Sequence, residues 1–134
     1  MYCFNHDKEA GLEYAGMELN DLANYEKAEN IVRREVLDYH INDPEGILLL
    51  GDVFLEWGTE KDSSKLENAR EQYATLIQLY KPNDLYLSRM MRYFIRSDNL
   101  REVLQLKQTF EPREKSLGWE DWTELSGYLL DKYY

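Results

Sequence analysis

Apolar side chains recur along this chain at helical spacing. Leu12, Ala15, Gly16 and Leu19 stand at offsets 0, 3, 4 and 7, which places them on one face of a helix. The pattern predicts a first helix from about Asp7 to Leu22 and a second from about Asn24 to Tyr39. The second has Tyr25, Ala28, Ile31, Val32 and Val36 on its apolar face. Asp43 followed by Pro44 is an N-cap with proline at the first helical position. It opens a third helix that runs to about Trp57 and stops at Gly58. Ser64 and Glu67 have capping-box spacing and open a fourth helix ending near Tyr80. A break at Lys81 and Pro82 precedes a fifth, from about Asp84 to Ser97. Asn99 and Glu102 repeat the capping-box spacing before a sixth, which reaches about Phe110. Glu111 and Pro112 interrupt it, and Trp119 to Tyr134 reads as a seventh. No segment sustains period-two alternation, so the expected class is all-α.

The apolar set of the first helix returns three times: Ile47, Leu50, Gly51, Phe54; Leu87, Met90, Met91, Phe94; and Trp122, Leu125, Ser126, Leu129. Equivalent positions lie 35, 40 and 35 residues apart. The alternate helices carry their own repeat. Tyr25 and Ala28 match Leu66 and Ala69, then Leu100 and Val103, at separations of 41 and 34 residues. The extra residues fall in loops, where added length costs little. A period near 34 built from helix pairs marks a helical repeat array.

Leu50, Gly51, Phe54, Ala69, Tyr73 and Pro82 in the second unit, with Gly16, Tyr25 and Ala28 in the first, make almost the whole chain resemble the tetratricopeptide repeat family. The third unit departs from the pattern, with Met91 at the small position and Val103 in place of alanine. The resemblance implies a right-handed superhelix of antiparallel helical hairpins, about seven helices in a single domain. Repeats fall at about 9–43, 44–83 and 84–117, with an extra or truncated helix at 118–134. A related helical-hairpin repeat would satisfy the same spacing. Gly16, Gly51 and Ser126, with Ala28 and Ala69, are expected where helices approach closely. Leu19, Phe54, Tyr73 and Phe94 are expected to fill the gaps between them. The apolar end Leu129-Leu130 is read as a repeat continued in a longer protein, or as a face for homo-oligomerisation through the last helix.

In arrays of this family the first helices line a concave surface. Here the resemblance implies Glu13, Met17, Asn20 and Asp21 from the first repeat, Leu48, Asp52, Leu55 and Glu56 from the second, and Ser88, Arg92, Ile95 and Arg96 from the third. That groove would be acidic at one end, basic at the other and apolar between. The family's carboxylate clamp is not reproduced. Glu13 stands where the clamp lysine belongs, and Met17 and Asp52 stand where its asparagines belong. A basic or mixed-charge peptide, or a folded partner, fits better than an acidic chaperone tail.

Charge sharpens this picture. The net charge is −10, and residues 1–62 hold 15 acidic against 5 basic side chains, whereas 81–115 hold 8 basic against 5 acidic. An acidic chain repels nucleic acid and anionic lipid, so neither is an expected partner. No apolar run approaches the roughly 20 residues of a membrane span, and the first residues lack a signal-peptide pattern. The expectation is a soluble domain, with cytoplasm and periplasm both open.

Candidate chemistry is sparse. Cys3 is the single cysteine, so no internal disulfide forms. Cys3, His6 and Asp7 lie close in sequence but do not supply four ligands at zinc spacing, and His40 stands apart. No phosphate loop, HExxH or G-x-S-x-G pattern occurs. No metal, cofactor or catalytic residue is therefore expected. Trp122 falls on a core position, and Trp57 is expected either to pack locally or to stand as an exposed interface anchor. The functional expectation is a non-catalytic protein-interaction scaffold. The alternative is a regulatory or oligomerisation module of a larger multidomain protein, an enzyme among the candidates.

Overall fold

The computed structural model describes residues 7–133. Cys3 and His6, weighed above as metal ligands, lie outside the described residues. Seven α-helices account for most of these residues, and no strand occurs among them. They are α1 (Lys8–Asn20), α2 (Tyr25–Ile31), α3 (Pro44–Glu60), α4 (Lys65–Tyr80), α5 (Asp84–Arg96), α6 (Leu100–Phe110) and α7 (Trp119–Tyr133). A π-helical segment, Val32–Leu37, follows α2, and a 3₁₀ segment, Glu111–Ser116, follows α6. The chain divides into two compact units, one ending at Tyr80 and the other starting at Lys81.

In the first unit α1 packs on α2, α3 packs on α4, and α1 also touches α3. Each start has a local cause. The Asp7 carboxylate accepts from the Glu9 N–H at 3.0 Å. Asp43 caps α3 by accepting from Gly46 N–H at 3.0 Å, with Pro44 as the first helical residue, as the sequence predicts. The expected capping box of α4 does not form. The Asp62 carboxylate instead accepts from both the N–H and the hydroxyl of Ser64, at 3.1 and 2.7 Å. These bonds hold the Asp62 carboxyl below its ordinary pKa. Glu67 is occupied by Arg70 one turn on.

The second helix is not uniform as expected. After Ile31 it widens into the π segment, and the reason lies in its neighbours. A Cβ on Gly46 would stand 2.8 Å from Leu37 and 3.0 Å from Val36, and one on Gly11 would stand 3.0 Å from Val36. The π turn thus seats Val36 and Leu37 against glycines of α1 and α3. An inserted residue in a helix rotates the following side chains in this way.

α3 is the hub of this unit. It touches α1, α2, the π segment and α4, and buries Gly46, Ile47, Leu50, Gly51, Val53, Phe54, Leu55 and Gly58. A helix apolar on several faces belongs in a core. It also runs past Gly58 to Glu60, where the glycine serves a contact and not a stop: a Cβ there would be 2.7 Å from the Leu66 nitrogen. Ala28 and Ala69 are fully buried, as expected of close contacts, and so is Tyr73. Gly16 is different. Nothing among the described residues lies within 4 Å of where its Cβ would be, so it is not a nesting position.

In the second unit Asn83 caps α5 by accepting from Tyr86 N–H at 2.8 Å. Asn99 caps α6 by accepting from Glu102 N–H at 3.4 Å, which is one half of the predicted capping box. Pro112 ends α6, and Arg113 leaves helical geometry (φ −130°, ψ 52°) inside the 3₁₀ segment. Met91, Val103, Phe110, Leu117 and Leu125 form the core, with Phe94, Ile95, Trp122 and Leu129 packed against it. Ser126 is exposed, so this residue, expected at a close approach of helices, is not a helix contact here.

Candidate interaction surface

The residues expected on the binding face divide sharply by environment. On α1, Glu13, Met17 and Asn20 are exposed, as is Asp21 at its C-terminal cap. Met17 keeps half of its surface in water. This is an apolar side chain among carboxylates on the outer face of a helix. On α3, Leu48, Asp52 and Glu56 are half-buried. Asp52 accepts a 2.5 Å hydrogen bond from the Tyr73 hydroxyl, so its carboxylate is positioned by α4.

Two expected surface residues are corrected by their burial. Leu55 is only 1% exposed, because α3 is enclosed on more than one side. Ser88 is 5% exposed, and its hydroxyl donates to the Leu85 carbonyl at 2.6 Å. It satisfies itself within its own helix. Ile95 packs against the core of the second unit.

The arginines expected as the basic end are committed inside the second unit. Arg92 donates to Asp121, which is itself buried, and Arg96 donates to Glu124 at 3.1 Å. Both carboxylates belong to α7, so the α5–α7 contact is zipped by two ion pairs one helical turn apart. Two of the positive charges read from the sequence between 81 and 115 are thus answered by acids that follow in the chain, and Arg113 is answered by the earlier Asp84.

Three further features stand outside that face, of which only the first gave no signal in the sequence. First, Glu18 is 3% exposed and meets Lys27 at 3.1 Å. Its second carboxylate oxygen has no hydrogen-bond partner among the described residues. Hydrogen bonds to Tyr14 and to Glu18 raise the Lys27 pKa. The i, i+4, i+13 spacing of Tyr14, Glu18 and Lys27 gave no signal, because the turn at Asp21–Asn24 brings them together. Second, Trp57 stacks between Tyr25 and Phe54, with centroids 6.2 and 6.4 Å away. Lys65 Nζ sits 4.3 Å from the Trp57 ring centroid, a cation–π distance. Burial, then the charges of Glu60 and Glu56, raise the Tyr25 phenol. A polar recess of about 260 Å³ opens beside this stack, lined by Asn24, Tyr25, Trp57 and Lys61 among others. Third, Ser126, Leu129, Leu130 and Tyr133 line an open apolar recess of about 460 Å³ on α7.

Among the described residues no group of three His, Cys, Asp or Glu side chains is arranged to hold a metal ion. No helix among the described residues is long and apolar enough to cross a membrane. Comparison with known protein families, with curated proteins and with solved structures finds no match to this chain.

Proposed function

We propose that this chain is a tetratricopeptide-like scaffold that binds another protein and catalyses no reaction, and that the outward face of α1 takes a basic segment of that partner. The observation that carries the reading is the company kept by Met17. It is an exposed apolar side chain flanked by Glu13, Asn20 and Asp21, on a helix whose opposite side is anchored in a hairpin core. An apolar contact ringed by one sign of charge is how a surface combines affinity with orientation.

The internal pairing of Arg92 and Arg96 shifts the expected partner from mixed charge toward basic. These two guanidiniums are already occupied, whereas Glu13 and Asp21 stand on open surface. Helical hairpins nested through Gly51, Ala28 and Ala69 support the repeat reading and give such a face a rigid backing.

The test is a double charge reversal, Glu13→Lys with Asp21→Lys, alongside a photo-crosslinking residue at Met17. Both positions are exposed, so circular dichroism should be unchanged. Proteins captured by the wild-type chain and crosslinked at position 17 should be lost from the double variant. Equal capture by both, or crosslinks that do not involve position 17, would reject the α1 face.

A further inference from the structure

We infer that the outward face of α7 is a second docking surface, built for an amphipathic helix with basic flanks. The inference shares with the proposed function only the premise that the chain binds protein, since it uses a different helix in the second unit. α7 turns one side to its own core, through buried Leu125 and Asp121 and half-buried Trp122 and Leu129. The other side carries Trp119, Thr123, Ser126, Leu130 and Tyr133, all exposed. Their spacings are 4, 3, 4 and 3 residues, the a/d seam of a helix made to lie along another helix. Trp119 is 79% exposed, Leu130 58% and Tyr133 61%, too much apolar surface at one stripe to be scattered exposure.

The shape of the stripe fits a helix. Bulk stands at its two ends, and Thr123, Ser126 and Gly127 form a low centre. Nothing among the described residues lies within 4 Å of a Cβ added at Gly127. A partner helix can therefore approach the backbone closely at the middle while its own apolar residues enter the recess bounded by Leu129, Leu130 and Tyr133.

Charge selects the partner. Glu120 and Asp131 are exposed beside the seam. The basic group of α7, Lys132, is turned to Asp98 at 2.6 Å. The flank offered to a visitor is therefore acidic, which calls for lysine or arginine beside the visitor's apolar seam. A second copy of this chain fits poorly. Antiparallel pairing centred on Ser126 would bring Glu120 of one copy beside Asp131 of the other on the same flank.

The test uses two synthetic helices with leucine at every a and d position, one with lysine at all other positions and one with glutamate. Binding to the whole chain is read by the blue shift of Trp119 fluorescence, with Trp119→Phe as the control that removes it. The lysine helix should bind and shift the emission, and the glutamate helix should not. Leu130→Asp should weaken the lysine helix at least tenfold with an unchanged melting curve. That variant adds negative charge, so attraction through net charge alone would instead become stronger. Unchanged or tighter binding to Leu130→Asp would overturn the proposal, as would binding of neither helix. Loss of binding only in the Glu13→Lys, Asp21→Lys chain would place the peptide on α1, overturning this site while leaving the interaction reading intact. Concentration-dependent dimers in sedimentation, abolished by Leu130→Asp, would assign the stripe to a second copy and equally overturn it.

Discussion

The ring of Tyr73 packs against Gly51, so close that a Cβ there would sit 2.6 Å from the ring Cε1. The ring cannot swing aside, because Tyr73 is fully buried and its hydroxyl is bonded to Asp52. Gly51→Ala should therefore destabilise the chain by about 1–3 kcal/mol, the usual cost of overpacking. Gly16→Ala should do the opposite and add about 0.5–1 kcal/mol, since it meets open space in mid-helix and glycine is costly there. Urea denaturation of both variants checks the pair, and a matching loss at both sites would refute the distinction.

Arg92 is the charge partner of buried Asp121. Arg92→Ala leaves that carboxylate buried without its guanidinium and should cost about 1.5–3 kcal/mol. Arg96→Ala should cost less, because Glu124 is more exposed and water can replace the lost donor. Thermal melts of the two variants should rank them in that order.

Glu18 and Lys27 form a buried-to-surface pair whose inner oxygen is unanswered. Removing only the lysine, as in Lys27→Met, strands a buried charge. Replacing both, as Glu18→Leu with Lys27→Met, removes the need for one. The double variant should melt higher than Lys27→Met, and the reverse order would show that Glu18 stabilises the fold even without its lysine.

Tyr128 links α7 to the turn after α5 by donating to Asp98 at 2.8 Å. Burial first, and then this bond, push its phenol up to about 12 from 10.0. A raised acid pKa means that the folded state favours the neutral phenol. The linked stability is fully present below pH 10 and is lost as the pH climbs toward 12. Absorbance at 295 nm should show late-ionising tyrosine, Tyr25 and Tyr128 both being raised, and Asp98→Asn should bring Tyr128 lower but still above 10, because burial remains. Asp98 runs the other way. Hydrogen bonds from Lys132, then Tyr128, lower its pKa, so its contribution is present above pH 4 and fades in stronger acid.

Much of the helical frame was legible before any coordinates. Apolar spacing located all seven helices, and Asp43 with Pro44 marked the start of α3, because caps and periodicity are local and act within a few residues. The Ser64–Glu67 pattern marked the start of α4, but not its bonds: Asp62, two residues before Ser64, captured the N–H and hydroxyl. Glycine roles were harder to read. Gly16, Gly51, Gly11 and Gly46 look alike in a sequence, yet only neighbours brought in from other helices decide which of them must lack a side chain.

The surface was the least legible part. Burial of Leu55 and Ser88 depends on how many elements surround a helix, and spacing along one helix does not count them. The occupation of Arg92 and Arg96 depends on α7, whose carboxylates arrive some 28 residues later. By itself the sequence determined helices, their starts and their apolar faces, since each follows from residues within a turn or two. Which charges are spent inside the fold and which face outward was decided by tertiary structure alone, because an ion pair forms between side chains that folding, not sequence proximity, places together.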